Sequence, residues 1–133
     1  MTKVVHVSGR RKKAVARATA KPGKGIIRVN RQLLSNYSTE FNRLKMLEPI
    51  TIAGDLAKNI DLNINVFGGG IASQTEAIRL VIARALVEIT KNKQLKADYL
   101  IYDRHLLVAD VRKNESSKPN DSKPRAKRQF TKR

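Results

Sequence analysis

Ile60-Asp-Leu-Asn-Ile-Asn-Val-Phe-Gly-Gly-Gly-Ile-Ala-Ser-Gln-Thr-Glu76 changes its apolar period halfway along, and that change decides the fold. In its first half Ile60, Leu62, Ile64 and Val66 alternate with Asp61, Asn63 and Asn65, the period-two pattern of a strand with one buried and one wet face. Gly68-Gly-Gly70 then breaks the chain. Ser73-Gln-Thr-Glu76 has the form of a capping box, in which the serine hydroxyl accepts from the Glu76 amide and the glutamate reaches back. The helix predicted from there runs to about Thr90, with Ile78, Val81, Ile82, Ala85, Leu86 and Ile89 as its apolar stripe. Arg79, Arg84 and Glu88 lie away from the centre of that stripe.

Upstream, Lys3 to Ser8 is short and β-branched and reads as a strand, interrupted at Gly9-Arg-Arg-Lys12 by a turn or bulge. Lys13 to Ala20 reads as a second strand. The small side chains of Ala14, Ala16 and Ala18 share one face, so something must pack close against it. Lys21-Pro-Gly-Lys-Gly25 is a turn, and Ile26 to Val29 a third strand, expected as the hairpin partner of the second. Gln32 to Tyr37 reads as a short helix, and Ser38 to Phe41 as the start of another segment ended by Pro49. Downstream, Leu95 to Tyr102 reads as a helix, with Tyr102 in the core, and Leu106 to Ala109 is apolar. The elements add up to an α+β two-layer sandwich: a four-stranded, mostly antiparallel sheet with helices on one face. Residues 1–112 form the globular domain, and residues 113–133, rich in Ser, Asn, Pro and Lys, an extended basic tail that cannot bury enough to order itself.

Charge is distributed unevenly along this plan. Residues 1–39 hold ten Lys/Arg and no acid, residues 40–111 nine of each, and residues 112–133 nine bases against two acids. The net charge of +17 therefore comes from the two ends alone. A neutral, apolar-rich middle between cationic ends fits a folded body that grips a polyanion, and a pI near 10.8 is the footprint of a nucleic-acid binder. No apolar run approaches the ~20 residues of a membrane span. The N-terminus has no signal-peptide h-region and the chain has no Cys, so a cytoplasmic protein without disulfides or thiolate metal sites is expected.

Chemistry is harder to find. Arg10-Arg-Lys-Lys13 places four cations side by side, an arrangement relieved when phosphates sit between them; Arg offers a planar fork and Lys a point charge. Gly68-Gly-Gly70 before a helix start would suit a nucleotide phosphate, yet the Walker spacing is missing. A sharp strand-to-helix turn is the favoured reading there over a nucleotide-binding loop, with room for an incidental RNA-backbone contact. His6 and His105 are too few and too far apart for a metal site, and no carboxylate pair offers acid/base work. No cofactor, metal or catalytic residue is assigned. Phe130 and Tyr102 are candidates for stacking on a base, and Phe130, alone within a cationic tail, is the better of the two.

Five segments in order resemble the universal family of small-subunit ribosomal protein nine. They are Gly9-Arg-Arg-Lys-Lys-Ala-Val-Ala-Arg17; Gly68-Gly-Gly-Ile-Ala-Ser-Gln74; Ala77-Ile78 with Ala83-Arg-Ala-Leu86; Asp110-Val-Arg112; and Gln129-Phe-Thr-Lys-Arg133. Val81 stands where the family usually has a small residue, and Thr131 where it usually has Ser. The segment 114–124 lacks the bacterial basic spacer and is similar to that of archaeal or eukaryotic cytosolic members.

The resemblance implies a fold like the second domain of ribosomal protein five, no enzymatic activity, and a place in the small-subunit head. The partners it implies are the 3′ major domain of the rRNA, neighbouring proteins of the head and P-site tRNA. Expected rRNA contacts are Arg10, Arg11, Lys12, Lys13 and Arg17 near the N-terminus, Gly68, Gly69 and Gly70 in the middle, and Arg112, Arg125, Lys127 and Arg128 near the C-terminus. The resemblance further implies that Lys132 and Arg133 touch the anticodon stem-loop of the tRNA. Two other classes fit part of the pattern: a small-molecule kinase with a glycine loop, and a non-ribosomal RNA binder such as a ribonuclease P subunit.

Overall fold

The computed structural model describes residues 3–128 and 131. Five strands, β1 (Val5–Arg11), β2 (Ala14–Pro22), β3 (Ile27–Val29), β4 (Gln32–Leu33) and β5 (Ile60–Phe67), form one sheet in the order β1-β2-β5-β3-β4. Only the β3–β5 pair is parallel. Three helices, α1 (Glu40–Ala53), α2 (Ile71–Thr90) and α3 (Lys93–Tyr102), complete the α+β sandwich.

α2 crosses β1, β2 and β5. Its stripe residues Ile78, Val81, Ile82, Ala85 and Leu86 are all at most 1% exposed. Beneath it Ala14, Ala16, Ala18 and Ala20 make a smooth floor, with β5 contributing Ile60, Leu62, Ile64 and Val66. The packing is close because nothing protrudes: a methyl on Gly9 would lie 2.8 Å from the Leu80 side chain. Burying each of these larger apolar side chains contributes roughly 1.5–3 kcal/mol. α1 packs against α2 through a buried face that includes Met46.

Several expectations need correction. The sheet has a fifth strand, because Asn30 and Arg31, both with positive φ (49° and 71°), turn the chain so that Gln32-Leu33 pairs with Arg28-Val29. Asn30 holds this turn to β5: its side chain donates to the Val66 carbonyl (3.2 Å) and accepts from the Val66 amide (3.0 Å). β3 is not the hairpin partner of β2. β5 lies between them, and Asp61 fixes the connecting loop by accepting from the amides of Lys24 (2.8 Å) and Ile26 (2.9 Å). β1 continues through Gly9, Arg10 and Arg11, and the turn falls on Lys12-Lys13, with Lys12 left-handed at φ 53°.

The helical expectations shift in similar ways. The short helix read at 32–37 shrinks to a 3₁₀ turn at Leu34–Asn36. Pro49 does not end α1. It sits buried inside the helix, and its carbonyl accepts a 2.7 Å hydrogen bond from the buried Tyr99 hydroxyl. Burial pushes the Tyr99 phenol pKa well above its ordinary value. Tyr102 is exposed rather than in the core, because α3 buries only Leu95 and Tyr99. Beyond a 3₁₀ turn at Arg104–Leu106, the described residues contain no further helix or strand.

Candidate nucleic-acid interface

The β1–β2 turn and the start of α2 meet at one end of the sandwich. Gly68 and Gly69 turn β5 into α2 with φ of 75° and 64°. A Cβ on Gly68 would stand 2.5 Å from the Lys13 carbonyl oxygen, and one on Gly69 2.9 Å from the Ala14 amide nitrogen. Two glycines are therefore needed to let the chain pass the β1–β2 turn. Gly70 has open space around its Cα and is the N-cap of α2. The capping box is not formed: α2 starts at Ile71, so Ser73 already lies within its first turn, and no side chain caps it. Glu76 instead reaches across to Arg11. The uncapped amides of a twenty-residue helix present a partial positive charge. Around them Lys12, Lys13, Lys113, Gly69, Gly70, Ser73 and Asn114 line a shallow cavity.

The four-cation run is split by strand alternation. Arg10 is exposed, whereas the Arg11 side chain is 14% exposed and turned towards the helices. There Arg11 donates to Glu76 (2.6 Å) and to the Arg112 carbonyl (3.0 Å), with Asp110 3.6 Å away. Lys12 and Lys13 stay exposed on the turn. The sequence treats the four as equals, and the structure makes Arg11 a tie between the β1 edge, α2 and the segment leading to the tail. Glu76 lies 65 residues from Arg11, so no local pattern could have paired them.

α2 carries two more ties to that segment. Arg79 donates to Glu48 (2.7 Å) and to Asp103 (3.1 Å), joining α1 to the end of α3. Arg84 donates to the carbonyls of Leu107 and Ser8, both at 2.9 Å. Asp110 is held far below the usual carboxylate range, first by the side chain of Arg112 and then by its amide, with the Arg11 charge adding to both. At Asp103 burial pushes the pKa up, but the His105 amide and Arg79 outweigh it and the net shift is downward.

The remaining expected contacts are placed as follows. Arg17 is exposed on the open face of the sheet, 5.7 Å from the centroid of the Phe67 ring. Arg112 is exposed but forked onto Asp110 (2.7 and 3.1 Å). In the tail Arg125 pairs with Glu115 at 2.9 Å and Arg128 approaches Asp121 at 3.9 Å; exposed pairs of this kind hold weakly. Lys127 is exposed. Phe130, Lys132 and Arg133 lie outside the described residues. Among the described residues no His, Asp and Glu cluster could hold a metal ion, and no helix is long and apolar enough to cross a membrane. Sequence reasoning missed Lys113 as a neighbour of the glycine turn, and Arg28, Arg31 and Phe67 on the open sheet face. The alternation of β5 was the signal for Phe67.

The family model described as Ribosomal protein S9/S16 matches residues 9–133. The chain is 48% identical over 129 residues to "Small ribosomal subunit protein uS9" of Methanococcus maripaludis strain C7, covering 96% of each chain. It is 43% identical to the protein of the same name in Methanococcus vannielii, with the same coverage. The glycine loop, whose form the β1–β2 turn explains, no longer argues for a kinase, and the match spans the terminal motif that a ribonuclease P subunit would lack. The chain belongs to the ribosomal protein S9/S16 family, whose members are non-enzymatic structural constituents of the small ribosomal subunit.

Proposed function

We propose that the chain holds the rRNA of the small-subunit head, within its 3′ major domain, through the cationic end of the sandwich, and that its tail reaches P-site tRNA. One observation carries the first half: the uncapped start of α2 opens onto a cavity ringed by Lys12, Lys13 and Lys113. Helix amides and point charges together suit a backbone phosphate, and such contacts fix position without reading sequence. Arg10 extends the basic surface from there, Arg112, Arg125, Lys127 and Arg128 continue it into the tail, and Arg17 is a further rRNA contact on the open sheet face. Arg11 serves this surface indirectly, by tying β1 to the segment from which the tail departs. Neighbouring proteins of the head complete the surroundings. The tRNA contact rests on the terminal segment Gln129-Phe-Thr-Lys-Arg133 and its resemblance to the family's end.

The test is the salt dependence of binding between the full chain and transcribed small-subunit rRNA. Removing two phosphate contacts with Lys12→Ala and Lys13→Ala together should lower the log–log salt slope by about two. Both side chains are exposed, so folding should be unaffected. An unchanged slope would remove the cationic turn from the interface.

A further inference from the structure

The helices cover one face of the sheet, and the other face has its own composition. Strand pairing sets its residues in rows. Val15 lies opposite Phe67, Arg17 opposite Asn65, and Thr19 opposite Asn63, which in turn lies beside Arg28. Successive rows are about 7 Å apart. Arg17, Arg28, Asn63 and Asn65 are exposed, as is Arg31 in the β3–β4 turn, and Phe67 is 52% exposed. Arg28, Arg31, Asn63, Ile64 and Asn65 line a depression on this face.

The chemistry of the face points one way. Asp61 is the only acid in the five strands, and it is already engaged by the Lys24 and Ile26 amides. Among the described residues Arg17, Arg28 and Arg31 form no ion pair, and the side-chain amides of Asn63 and Asn65 form no hydrogen bond. An exposed ring under a guanidinium, beside unpaired amides and surplus positive charge, matches the needs of an unstacked nucleotide. The base takes the ring, the base edges take the amides, and the phosphates take the arginines. A duplex would not use the ring, since its bases are already stacked.

We infer that the open face of the sheet is a second RNA-binding surface that takes an unpaired stretch of RNA, with a base on Phe67 and phosphates on Arg17, Arg28 and Arg31. This rests on the RNA reading above but uses a separate part of the molecule from the Lys12-Lys13 turn. An internal control exists: Phe41 on α1 is also exposed (66%) and also lies beside a cation, Lys45 at 5.0 Å, but on the helical layer.

The experiment measures binding of the full chain to transcribed small-subunit rRNA. Phe67→Ala should weaken binding about tenfold without changing the salt slope, since a neutral stacking contact is lost. Phe67→Tyr should restore affinity, Phe67→Leu should not, and Phe41→Ala should bind as the parent does. Urea unfolding checks that each variant is folded. Parental affinity for Phe67→Ala, or full recovery with leucine, overturns the inference. If Lys12→Ala/Lys13→Ala still lowers the slope in that case, the reading of the cationic turn stands alone. Variants that bind free rRNA normally but are lost from assembled subunits would assign the face to a protein partner, which also overturns it. A parent chain that does not bind the rRNA removes both readings.

Discussion

Gly68 and Gly69 show how much one residue's size decides here. Both have positive φ, and a methyl at either meets backbone of the β1–β2 turn at 2.5 or 2.9 Å. Gly70 has ordinary φ (−97°) and free space. Gly68→Ala should therefore cost about 1–3 kcal/mol of stability, while Gly70→Ala should cost ~1 kcal/mol or less, the loss of a weak N-cap. Urea unfolding midpoints of the two variants measure the difference, and equal losses would refute the steric account. The break at 68–70 was legible in the sequence because three glycines in a row have few other uses. What was not legible is which glycines are structural, since that depends on a turn more than fifty residues upstream. Arg11 makes the same point: alternation can tell it from Arg10 only once β1 is known to run through both.

At the scale of elements, α2 organises the molecule from both of its sides. Its apolar stripe, readable from a 3.6-residue period, sits where the sequence places it. Its polar flank, Glu76, Arg79 and Arg84, binds β1, α1, Asp103 and Leu107, and none of those partners is local. The ties give the fold a pH dependence whose sign follows from the carboxylates. Asp61, Asp103 and Asp110 all bind protons more weakly in the fold than an ordinary carboxylate does. Their contribution is full above about pH 4, the ordinary value, and is lost as pH falls through the lower folded values. Asp110→Asn should lower the urea midpoint at neutral pH, and the gap to the parent chain should narrow as pH drops below about 4. A gap that stays constant into acid would mean that the Asp110 charge does not hold the segment. The misplaced elements also depend on contacts distant in sequence. β3 pairs with the edge of β5 away from β2, and Asp61 pins the loop between 22 and 26 that carries the chain there; Pro49 lies inside α1 with its carbonyl held by the Tyr99 hydroxyl.

Across the whole molecule, positive charge is mounted in three ways. The β1–β2 turn presents Lys12 and Lys13 beside the start of α2, the open sheet face presents Arg17, Arg28 and Arg31, and residues 112–133 carry nine further bases. The charge split between the two ends was readable from the sequence by counting. The sheet face was not, because Arg17 and Phe67 come together only when β2 pairs with β5, fifty residues apart. A body fixed through its own cations leaves the tail a separate task. That separation is tested by assembling small subunits with a chain lacking Lys132 and Arg133 and measuring P-site tRNA dissociation. The shortened chain should enter subunits as fully as the intact one, while tRNA is released severalfold faster. Unchanged tRNA release from fully assembled subunits would contradict it.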